Sequence, residues 1–149
     1  LVPVEGGFPT EQPAPKQLAS RRVTALQPFG SLFYAAARTF EENLPAADQA
    51  RQAAVIFLFR GYDEFGSTMI GVLDRYARTL QGNGGRLMLA GVSKGVLAQL
   101  ERTGLIGLIG RDNVFLEQPQ WGAAANQALA SAEAWLETLP PAEPTAPGA

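Results

Sequence analysis

The sequence predicts an α/β domain on an open, mostly parallel β-sheet of about four to five strands, packed by about four to five α-helices. Two observations carry this. Val55 to Phe59 is apolar at every position, as a strand covered on both faces must be. A segment with helical spacing follows it and leads through Gly82, Gly84 and Gly85 into a second apolar run, Leu87 to Leu89. Strand, helix and strand in that order form a right-handed βαβ unit. Similar alternation continues to either side, giving β-α-β-α-β-α-β-α in all.

The first strand is placed at Arg22 to Gln27, where Val23, Ala25 and Gln27 alternate with Thr24 and Leu26. After Pro28-Phe29-Gly30, Ser31 is suited to cap a helix from Leu32 to Leu44, which Pro45 ends. Leu32, Phe33, Ala36, Ala37, Phe40 and Leu44 make its apolar stripe. The helix after the central strand is expected from about Ser67 to Gln81. Met69, Ile70, Val72, Leu73, Tyr76, Ala77 and Leu80 face inward, and Asp74, Arg75, Arg78 and Gln81 face outward. Ser93 is expected to cap a helix from Lys94 to Thr103, with Gly104 just past its end and Leu105 folding back on the last turn. Val114 to Leu116 is a short last strand. Trp121 to Leu139 is an Ala-rich helix with Trp121, Ala124, Ala128, Trp135 and Leu139 on one face. Residues 1–20, with four prolines, read as a linker or extended arm. Residues 140–149 read as a disordered Pro/Ala tail, so the folded domain is placed at 21–139.

Composition removes whole classes of function. The chain of 149 residues has no Cys and no His. Disulfides, thiolate nucleophiles and the commonest general base and metal ligand are therefore missing. A formal charge of −2, with scattered Lys and Arg, leaves no basic footprint for nucleic acid. The longest apolar run, Ala53 to Phe59, is seven residues, against the ~20 of a membrane helix. No basic stretch followed by an apolar one marks a signal peptide. The chain begins at Leu1 rather than Met, as expected for a piece of a longer protein.

Ser67 and Thr68 are the first candidates for chemistry. They start a helix, where backbone N–H groups and the macrodipole favour an anion or a phosphoryl group. The plainer alternative is that Ser67, or Gly66 before it, is only the cap. Asp63 and Glu64 are adjacent carboxylates on the preceding turn. Like Asp74, Arg75 and Arg78, they form either a solvated surface or an interaction surface. Asp74 precedes Arg78 by four, the favourable order for a helical ion pair. No metal site is read, since one carboxylate pair lacks further ligands. No cofactor is read either. There is no P-loop, and Gly82-Asn83-Gly84-Gly85 follows a helix instead of a strand. The chain reads as non-enzymatic.

Four stretches taken together resemble the STAS domain, in particular the cytosolic C-terminal STAS domain of SulP-type (sulfate permease-like) anion transporters. Gln27 to Ala35 is similar to the family's opening strand and "G-x-L-F-F-A" helix start. Val55 to Gly61 is similar to its central strand. Gly84 to Ser93 is similar to its "G-G-x-L-x-L-x-G-V-S" strand and turn, and Leu100 to Leu105 to its "L-x-x-x-G-L" helix end. The resemblance covers roughly 22–138 and implies the STAS fold. In anti-sigma factor antagonists of this family the helix after the central strand begins D-[ST]-[ST]-G, and the second hydroxyl is phosphorylated. Here the four are Gly66-Ser67-Thr68-Met69, with Thr68 at that position and the acid and glycine both replaced. This departure favours the transporter branch.

That branch implies a regulatory or structural domain at the cytoplasmic face of the cell membrane. Its implied partners are an N-terminal membrane domain of the same polypeptide, a second copy as a homodimer, or a cytosolic regulatory protein; nucleic acid is not among them. Two other readings remain open at this stage: a stand-alone partner switch controlled at Thr68, and a nucleotide- or anion-binding module at Ser67–Thr68.

Overall fold

Strands rich in Val, Ile, Leu and Phe on both faces need helices on both sides, and the chain supplies them in sequence order. In a computed structural model the described residues are 16–27, 35–120 and 122–140, with the backbone alone for 35–37. The elements are β1 (Val23–Leu26), α1 (Ala35–Glu42), β2 (Ala54–Leu58), α2 (Ser67–Gly82), β3 (Arg86–Val92), α3 (Lys94–Arg102), α4 (Leu105–Ile109), β4 (Val114–Leu116) and α5 (Ala123–Thr138). A 3-10 turn at Arg111–Asn113 precedes β4.

The strands lie in the order β1-β2-β3-β4, and every neighbouring pair is parallel. Sequential order with crossovers of one hand puts every crossover helix on the same face. The packing shows this. Phe40 of α1, Val72 and Leu73 of α2, Val96 and Leu100 of α3, and Leu105 and Ile109 of α4 share one core with Val55, Phe57, Leu87 and Leu89. The opposite strand positions, Ala54, Ile56, Met88 and Ala90, lie under Ala124, Ala128 and Ala132 of α5. Alanine at those three positions lets the helix backbone come close to the sheet.

Phe57 sits at the centre of the larger core. Its ring stacks on Tyr76 at 5.7 Å and meets Phe40 and Phe59 edge-on at 5.5 and 5.7 Å. The Tyr76 hydroxyl donates to the Pro45 carbonyl at 2.8 Å, and burial pushes its pKa up from the ordinary tyrosine value.

Several expectations need correction. β1 is one residue shorter at each end than the strand expected at Arg22 to Gln27, and the alternation read there separates two faces that are both buried, Val23 and Ala25 toward α5 and Leu26 in the larger core. β3 runs from Arg86 to Val92, past the expected end at Leu89. A bulge at Gly91 (φ +76°) lies within it. Leu105 does not simply fold back on α3. Gly104, at φ +78°, ends that helix and also caps α4, which has only five residues. That stretch, Leu-Ile-Gly-Leu-Ile, has no polar residue to reveal a helical period. α2 extends one residue beyond Gln81, and α5 begins at Ala123. Residues 28–34, which include the expected cap Ser31 and the first residues of the helix expected from Leu32, as well as Trp121, the first fifteen residues and the last nine, lie outside the described residues.

Residues 16–20 take part in the packing. Leu18 is buried in the larger core, and the strap pairs with Ala46: the Leu18 N–H donates to the Ala46 carbonyl at 3.0 Å, and the Ala46 N–H to the Lys16 carbonyl at 2.8 Å.

Candidate functional site

In a parallel sheet the loops at the carboxyl ends of the strands converge, and ligands or partners meet the protein there. Here those loops are 59–66 after β2, the turn at Ser93 after β3, and the segment from Glu117 onward after β4. The first delivers Ser67 and Thr68 at the start of α2.

Gly66 is the cap of α2 (φ −74°, ψ 163°), and no side chain caps it. The first helical bond runs from the Ile70 N–H to the Gly66 carbonyl at 3.2 Å, so the amides of Ser67, Thr68 and Met69 stand ahead of it. Ser67 is exposed and Thr68 half-buried. Met69 is buried, which anchors this first turn in the core.

The loop before it is held on three sides. The Gln99 side chain of α3 reads the Phe65 backbone as a second peptide would. Phe65 N–H donates to Gln99 Oε1 at 2.7 Å, and Gln99 Nε2 donates to the Phe65 carbonyl at 2.7 Å. Ser93 Oγ accepts from the Val96 N–H at 3.2 Å, the cap expected there, and also donates to the Asp63 carbonyl at 3.3 Å. Arg60 Nη1 donates to the Gln118 carbonyl at 3.0 Å, tying this loop to the one before α5. Gln118 in turn donates to Gln127 of α5 at 2.9 Å. Close approach completes the arrangement: a Cβ on Gly95 would overlap the Asp63 carbonyl oxygen. Phe65, packed at 4.7 Å against Phe59, pins the loop from below.

Asp63 and Glu64 lie on this loop with exposed side chains. Asp63 and Glu64 thus lie on the loop that leads directly into the Ser67–Thr68 helix start. The other three candidates lie further along α2, about 10–16 Å away at 1.5 Å per residue. Asp74 and Arg78 form the expected ion pair at 3.1 Å. Arg75 instead reaches α1, donating to both Glu41 carboxylate oxygens at 2.8 and 2.9 Å. The hydrogen bond from Arg75 holds the Glu41 carboxyl below its ordinary pKa. Both partners are substantially exposed, so the pair stabilises the fold by no more than about 1 kcal/mol. Among the described residues no cluster of acidic side chains could hold a metal ion.

Sequence reasoning missed Gln99, Arg60 and Gln118. A signal for Gln99 existed: it shares the inward stripe of α3 with Val96 and Leu100, and a polar residue there needs a partner. Replacing Gln99 with Ala strips the Phe65 N–H and carbonyl of their partners, an expected local loss of about 1–3 kcal/mol. Amide exchange at Phe65 should quicken while exchange in β3 is unchanged. Unaltered exchange at Phe65 would show that something else holds the loop.

The STAS domain family model matches residues 15–118, more than half of the chain. The chain belongs to the STAS family. Two solved structures are similar to this STAS domain. A sulfate transporter family protein from Wolinella succinogenes is 24% identical with a TM-score of 0.64, covering 78% of this chain and 88% of that one. The STAS domain of a SulP transporter from Vibrio cholerae is 25% identical with a TM-score of 0.54, covering 74% of this chain and 83% of that one. No curated protein matches the STAS chain significantly. Among the described residues, no helix is long and apolar enough to cross a membrane.

Proposed function

We propose that this STAS domain is the cytosolic, non-enzymatic regulatory or structural part of a SulP-type secondary anion transporter, for sulfate or a related anion. It serves assembly or protein interactions and is joined to a membrane domain on its N-terminal side. The observation that supports this most is the likeness to the Vibrio cholerae SulP transporter STAS domain, which extends over most of both chains. The start of α2 agrees with it. Gly66 stands where a switch-type STAS protein has an acid, so the partner-switch features are incomplete around Thr68. Under this reading the loop at 60–66 and the Ser67–Thr68 turn form a contact surface, and the anion is recognised elsewhere in the transporter.

Deleting residues 20–139 from the parent protein tests the reading. Assembly or regulation of transport should fall sharply, while the order of preference among sulfate, bicarbonate and chloride should persist in whatever transport remains. A deletion that left assembly and regulation intact and rearranged that order would contradict it.

A further inference from the structure

Among the described residues, Arg21 and Gln52 are the non-glycine residues with positive φ, at +56° and +53°. This left-handed conformation brings Cβ against the following carbonyl and persists only where surrounding contacts hold it. The two residues hold each other: Arg21 Nη1 donates to Gln52 Oε1. Around them, the Arg21 N–H donates to the Arg51 carbonyl at 3.0 Å, the Arg51 N–H to Ser20 Oγ at 2.9 Å, and the Gln52 N–H to the Asn83 carbonyl at 2.9 Å.

The other arm of the same guanidinium reaches 119 residues along the chain. Arg21 Nη2 donates to the Pro140 carbonyl at 2.7 Å, just beyond the end of α5. One side chain therefore joins the N-terminal strap (16–21), the segment leading into β2, and the exit of α5. Helix α5 meets the sheet through Ala124, Ala128 and Ala132, with Leu129, Trp135 and Leu136 packed partly buried beside them. Near its end, the Arg86 guanidinium lies over the Trp135 ring at 4.7 Å.

We propose that the strap is a mechanical coupling: displacement of the chain ahead of residue 16 is passed through Arg21 to the last turn of α5. Strain at positions 21 and 52 makes the attachment releasable, because freeing the strap lets both residues relax. The inference rests on the geometry of this pole of the sheet and stands whether or not the domain belongs to a transporter.

Amide hydrogen exchange on the 149-residue chain tests it. Arg21→Ala and, separately, Leu18→Ala should raise exchange at the end of α5, read at the Leu139 amide, by about tenfold or more. The Asn126 amide near the start of α5 should keep its rate. Faster exchange at Leu18 with an unchanged rate at Leu139 would overturn the coupling. Should either variant fail to fold, the wild-type chain in sub-denaturing urea decides. The Leu18 and Leu139 amides should then open together with one urea dependence, and two separate openings would overturn the proposal.

Discussion

Phe57→Ala is expected to cost about 3–5 kcal/mol, the usual range for deleting a buried aromatic ring. Phe57 is fully buried in β2 and touches the rings of Phe40 on α1, Tyr76 on α2 and Phe59 just after β2. Removing it takes away one partner from each of three aromatic contacts and leaves a cavity that Phe40 and Tyr76 cannot both close. Tyr76 is additionally held by its hydrogen bond to Pro45, which limits how far it can move. Domains of this size have only about 5–15 kcal/mol of stability in total, so the loss should lower the thermal midpoint by on the order of 10–20 °C. Calorimetry of the purified chain checks this. A shift of only a few degrees would mean that the core around β2 collapses into the space far better than its packing suggests.

Gly91→Ala should cost about 2–5 kcal/mol, combining roughly 1–2 for a left-handed L residue with roughly 1–3 for overpacking. Two independent reasons meet at this glycine. Its φ of +76° suits residues without a Cβ, and a Cβ placed there would lie 2.9 Å from the Arg60 amide nitrogen and 3.1 Å from the Arg60 Cα. These are backbone atoms at the root of the loop that carries the candidate surface, and they cannot swing aside as a flexible side chain would. The substitution should therefore do more than lower stability. It should push Arg60 away from β3, loosen its bond to Gln118, and change the amide signals of Phe65, Ser67 and Thr68. Urea unfolding and NMR of the same sample read both effects. A variant that lost stability with those three signals unmoved would contradict the link between the bulge and the loop.

How much of this was legible in the sequence depended on the physical kind of information. β2, β4 and the buried set of α2, apart from Ile70, which is only partly buried, were readable because continuous apolar runs and a strong helical period leave few alternatives. The cap at Ser93 was readable because a hydroxyl before an apolar stripe does one common thing. β1 was readable from its alternation, which separates the face under α5 from the face in the larger core, although both faces are buried. α4 was hidden by having no polar face. At the candidate site, the placement of Ser67 and Thr68 at a helix start could be seen, whereas the choice of Gly66 as the cap depended on backbone angles. The ties from Gln99, Arg60 and Arg21 span 34, 58 and 119 residues. No local pattern encodes a contact across such a separation, and those ties are what fix the loop and the strap.

The proposed place of this STAS domain is within a larger membrane-bound transporter. The most direct test is a blot of membrane and soluble fractions of the source cells with an antibody raised against the domain. A band several times larger than 15.8 kDa is expected in the membrane fraction. A band near 15.8 kDa confined to the soluble fraction would contradict the proposal.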